Sequence, residues 1–72
     1  MPIIVAYILE GRDAETKKKL IGSVTSAVVE TLKVPVDSVR VIINEMAHDH
    51  YGIAGLPVLE HRRQKSKKPG HG

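Results

Sequence analysis

Seventy-two residues make one small domain, and a chain this short buries only about 60% of its unfolded surface, so a lone copy is marginally stable without a staple. The absence of cysteine excludes disulfides and thiolate zinc sites and leaves oligomerisation as the expected staple. The net charge of +3 belongs to the C-terminus: without Arg62, Arg63, Lys65, Lys67 and Lys68, six Lys and Arg face eight Asp and Glu, a balance of −2.

Residues 62–72 therefore read as a basic tail of disordered composition. Such a tail can bind nucleic acid or an anionic surface, but more often it is a solvated end. Two tyrosines, with no Trp or Phe, are too few for a base-stacking platform. No long apolar segment and no basic-then-apolar leader occurs, so a soluble, cytoplasmic protein is expected.

Pro2 stands directly behind Met1 at the head of the apolar run Ile3–Leu9. Its bland role is to start a strand, where a missing N–H is tolerated. If Met1 is removed, however, the first residue is a proline with a free secondary amine, which is both base and nucleophile. With Met1 in place the same nitrogen is a tertiary amide and has neither property.

Residues 3–9 are apolar at both alternating positions, as in a strand buried on both sides. Glu10-Gly11-Arg12 breaks the run. Asp13 then reads as a helix N-cap, with Glu15 well placed in the first turn. Leu20, Ile21, Val24, Ala27, Val28 and Leu32 form one stripe of an amphipathic helix over roughly 13–33. Lys17, Lys18 and Lys19 face mostly outward.

Pro35 stops the helix, and Pro35–Ser38 reads as a tight turn. Residues 39–45 form a second strand. Strand, helix and strand with short links predict a βαβ unit with parallel strands and a right-handed crossover. The stretch 48–55 is turn-rich. Leu56–Leu59 reads as a short edge strand or hairpin return, with Pro57 suited to an edge. One helix covers one face of a two-stranded sheet, and no second helix is expected, so another subunit is the expected cover for the other face.

Pro2-Ile3-Ile4, Leu9-Glu10-Gly11-Arg12, Ser38–Met46 and Tyr51-Gly52-Ile53-Ala54-Gly55 fall in an order and spacing that resembles the 4-oxalocrotonate tautomerase family over residues 2 to about 63. The resemblance implies a β-α-β domain over 1–61, assembled as a homohexamer that is a trimer of dimers, in aromatic hydrocarbon catabolism. It implies an isomerase that needs no cofactor or metal and converts a 2-hydroxydienoate such as 2-hydroxymuconate to an α,β-unsaturated 2-oxo acid. Pro2 matches the general base. Arg12 matches the arginine that grips the distal carboxylate. Arg40 matches the one that binds the proximal carboxylate and the 2-oxygen. Tyr51 stands where phenylalanine commonly walls the amine. Ala54 departs from the usual glycine, and the His48-Asp49-His50 run and the basic tail fall outside the pattern.

Elementary chemistry agrees with that assignment. Proton transfer next to a carbonyl needs a base with a pKa near the working pH, and burial beside cations lowers that of an amine. Two guanidiniums suit a dicarboxylate, and one can also stabilise an enolate oxygen. Pro2 and Arg12 lie at opposite ends of an extended strand, on the order of 33 Å apart at about 3.3 Å per residue. Arg12 is therefore expected from a neighbouring chain, and a monomer is expected to be inactive. Arg40 starts the parallel strand at the Pro2 end, although the family draws it from another chain too.

Other readings attach to the same residues. Singly, Arg12 would be a surface charge and Tyr51 core or rim, whereas Arg40 in an apolar strand calls for a partner. His48 and His50 hint at a metal pair but lack a third ligand. Glu10 and Glu45 read as strand-end surface charges. A dehalogenase or decarboxylase on the same scaffold would need a carboxylate to activate water, and none is evidently placed. An oligomeric module binding nucleic acid through the tail is the remaining alternative.

Overall fold

The computed structural model describes residues 1–67, with side chains through residue 64. In chain order these form β1 (Ile3–Leu9), α1 (Ala14–Leu32), β2 (Arg40–Met46), β3 (Gly52–Ile53), β4 (Leu56–Pro57) and α2 (Val58–Lys67). Single 3-10 turns at Val36–Ser38 and His48–His50 link the elements on either side of β2.

The βαβ expectation holds. β1 and β2 pair in parallel from Ile3 opposite Arg40 to Leu9 opposite Met46. Asp13 caps α1, its Oδ1 accepting from the Thr16 N–H at 2.9 Å. Hydrogen bonding from the Thr16 side chain, reinforced by that backbone N–H, holds the Asp13 carboxyl below its ordinary pKa. At the other end Lys33 adopts a left-handed conformation (φ 58°, ψ 49°), and its N–H closes on the Val29 carbonyl. α1 thus ends two residues short of Pro35, where the proline restricts its predecessor.

Three boundaries differ from expectation. The second strand begins at Arg40 instead of Val39 because the Val39 N–H closes the preceding turn onto the Val36 carbonyl. After the two-residue strand β4 the chain enters a second helix at Val58, not a longer edge strand. That helix continues through Lys67, so residues 62–67 of the expected tail are helical. No Gly or Pro interrupts 58–67, and local helix propensity prevails over the basic composition there. Residues 68–72 of the tail lie outside the described residues.

The added helix does not change the inference about the sheet. α2 packs on β3, β4 and the His48–His50 turn. Val58, where α2 begins, is the only fully buried residue among those described. On the sheet, half-buried Ile4, Ala6, Ile8, Val41 and Ile43 alternate with exposed Ile3, Val5, Tyr7, Arg40, Ile42 and Asn44. Tyr7 is 68% and Ile3 57% exposed. A strand apolar on both faces is thus covered on one face only.

The stripe on α1 is also only partly covered. Leu20, Val24 and Val28 are half-buried while Ile21, Ala27 and Leu32 stay exposed. Two strands about 4.8 Å apart are narrower than a helix about 10 Å across, so the flanks of the stripe have nothing beneath them. Among the described residues no helix is long and apolar enough to cross a membrane.

Candidate active site

Parallel pairing puts Pro2 and Arg40 together. The Arg40 N–H donates to the Pro2 carbonyl at 3.0 Å, extending the ladder one residue beyond Ile3. Pro2 is half-buried and Arg40 exposed. The Arg40 guanidinium is steadied from behind, Nη1 donating to the Asp37 carbonyl at 2.6 Å. Arg40 lies on the uncovered face with Ile3, Val5, Tyr7 and Ile42, so its charge meets solvent instead of needing a buried counter-ion. Met1 is 74% exposed.

Arg12 is at the opposite end of β1. Its Nη1 donates to the Leu9 carbonyl at 3.2 Å. The link that carries it is pinned by the Glu10 N–H, which donates to the Met46 carbonyl at 2.9 Å. Gly11 turns the chain at φ +126°, a region closed to side-chain-bearing residues.

Tyr51 is also at the far end. It follows the His48–His50 turn beyond the C-terminal end of β2. Its N–H donates to the His48 carbonyl at 3.3 Å, and its carbonyl accepts from the Val58 N–H at 2.8 Å. The hairpin beyond it turns through Ala54 (φ 55°) and Gly55 (φ 84°). Two positive φ values are the signature of a type I′ turn, so alanine occupies a glycine-favouring conformation. One chain therefore pairs Pro2 with Arg40 at one end of the sheet and carries Arg12 and Tyr51 at the other.

Two side-chain pairs at the far end were not legible in the sequence. Lys17 Nζ lies 3.1 Å from Glu45 Oε1, with both side chains partly covered. The pair links α1 to the end of β2; Glu45 is an exposed strand-end charge as expected, and Lys17 is half-buried while Lys18 and Lys19 face outward. His48 Nδ1 lies 4.0 Å from Glu10 Oε2. Among the described residues, no group of three or more His, Cys, Asp or Glu comes together to hold a metal ion. His48 and His50 sit in one short turn, with His48 directed to the Glu10 carboxylate.

A family model described as tautomerase enzyme matches residues 2–60. The chain belongs to the tautomerase family. It is 53% identical over 63 residues to a 2-hydroxymuconate tautomerase of Pseudomonas putida, covering 88% of this chain and 100% of the relative. Among solved structures it resembles a 4-oxalocrotonate tautomerase isozyme of Methylibium petroleiphilum with a TM-score of 0.81 and 40% identity, over 88% of this chain and 98% of that one. It also resembles a heterohexameric 4-oxalocrotonate tautomerase of Chloroflexus aurantiacus, with a TM-score of 0.80 and 32% identity over 83% and 97% of the two chains. As a tautomerase it is an enzyme of the isomerase class, built on the β-α-β unit described above.

Proposed function

We propose that this tautomerase, once Met1 is removed, converts a 2-hydroxymuconate-like dienoate to its α,β-unsaturated 2-oxo isomer with Pro2 as general base. The Pro2 nitrogen takes the proton of the 2-hydroxyl. The oxygen electrons form the C2 carbonyl, the C2–C3 π pair moves to C3–C4, and the C4–C5 pair takes a proton at C5 from the prolinium. The proton lost from oxygen is matched by the one gained at carbon, and the amine is regenerated. Arg40 binds the proximal carboxylate and the 2-oxygen, where charge develops. Arg12 grips the distal carboxylate, and Tyr51 keeps water from the amine.

The observation that carries this reading is the Arg40 N–H to Pro2 carbonyl bond at 3.0 Å, which sets a guanidinium-bearing residue beside the proposed base. Similarity to the P. putida 2-hydroxymuconate tautomerase supports the substrate class. The remaining two residues come from other copies of the chain. The uncovered apolar face and the near-absence of a core in one copy support assembly. The heterohexamer of the C. aurantiacus relative supports six chains in all.

The test is intact mass followed by kinetics. Protein lacking methionine is expected to ketonise 2-hydroxymuconate, and Pro2→Ala to lose on the order of 10²–10⁴ in kcat, the usual worth of a positioned base. Methionine-free protein without turnover overturns the proposal.

A further inference from the structure

We infer that His48 is a positioning residue that keeps the Glu10 carboxylate off Arg12, leaving that guanidinium open for a substrate carboxylate. The inference rests on the proposed role of Arg12 as a carboxylate clamp. Glu10 stands two residues before Arg12 in the same link. A carboxylate so close in the chain offers the guanidinium the same bidentate partner that the substrate would. Being tethered, it competes at high effective concentration.

The geometry shows where Glu10 goes instead. Its Oε2 lies 4.0 Å from His48 Nδ1, while Arg12 Nη1 donates to the Leu9 carbonyl. Among the described residues Arg12 makes no ion pair. The backbone at Glu10 is anchored to Met46, so its side chain is the part free to swing. His48 is held on a turn closed by the His50 N–H donating to the Ala47 carbonyl at 2.9 Å. Parallel pairing of Leu9 with Met46 brings that turn beside the Glu10–Arg12 link. A protonated imidazole attracts the carboxylate without offering the substrate a bidentate fork.

Steady-state kinetics with 2-hydroxymuconate test this. His48→Ala is expected to raise KM roughly fivefold, the scale of an exposed ion pair, with kcat changed less than KM. Adding Glu10→Gln to that variant removes the competitor and is expected to return KM to the wild-type level. His48→Lys, which places a cation beside Glu10, is expected to leave KM unchanged.

A double variant with KM as high as His48→Ala alone overturns the inference, since loss of shape and not release of Glu10 would then be at work. An unchanged KM in His48→Ala while Arg12→Ala raises it overturns the inference and leaves the role of Arg12 standing. An unchanged KM in Arg12→Ala overturns both.

Discussion

Arg40 and Pro2 are joined by a main-chain hydrogen bond of 3.0 Å, whereas Arg12 is tied to Leu9 at the other end of the same strand. A seven-residue strand spans on the order of 23 Å at about 3.3 Å per residue. The proposed base and the proposed distal clamp of one chain therefore serve different sites. On the proposed reading each site is a composite of several copies, and activity is expected only of the assembly.

A composite site permits complementation. Pro2→Ala and Arg12→Ala are each expected to be impaired as pure oligomers. Unfolded together and refolded, they form mixed oligomers in which an intact Pro2 meets an intact Arg12. Activity of the mixture above the sum of the parts is the expected result, measured against each variant refolded alone.

Val5 is 44% exposed on the open face between Ile3 and Tyr7. Burying a carboxylate there without a partner is costly. Val5→Glu is expected to shift the protein to smaller species in analytical ultracentrifugation and to lower turnover in parallel. Full-size assembly of the variant would mean that this face is not what the copies share.

Ala54 holds φ 55°, where a β-carbon costs about 1–2 kcal/mol. Ala54→Gly relieves that cost, although glycine is more flexible when unfolded. A net gain of about 1 kcal/mol is expected, or a rise in Tm of about 4 °C for a domain of this size. Thermal unfolding at matched protein concentration measures it, because oligomers melt in a concentration-dependent way.

The Asp13 cap makes α1 sensitive to acid. The Thr16 hydrogen bond lowers the carboxyl pKa in the folded state, so the folded protein binds a proton there less readily than the unfolded chain. Its contribution is complete above the ordinary Asp value of about 3.9 and is lost as pH falls through the lowered folded value. Asp13→Asn keeps an acceptor for the Thr16 N–H but has no charge to titrate. Stability measured from pH 7 downward is expected to fall less steeply in the variant across that acid range.

Much of the unit was legible because its signals are local. Asp13 before an apolar-periodic run marks a helix start, and Pro35 marks its end. The continuous apolar run 3–9 and the apolar-rich run 39–45 mark two strands, and a helical link between them makes the pairing parallel. The end of the chain was harder to read. Val58–Lys67 forms a helix that no glycine or proline interrupts, whereas 56–59 read as an edge strand and the basic residues from 62 as a solvated tail.

Residue types and their order were enough to place the chain in its family, and that resemblance proposes Pro2, Arg12, Arg40 and Tyr51 as a set. Local chemistry depends on functional groups, and those are written in the sequence. Only the tertiary structure decided how the set divides, with Pro2 and Arg40 at one end of the sheet and Arg12 and Tyr51 at the other. It alone brought His48 to Glu10 and Lys17 to Glu45. Those relationships come from strand register and helix docking, which join residues far apart in the chain and leave no periodic trace between them.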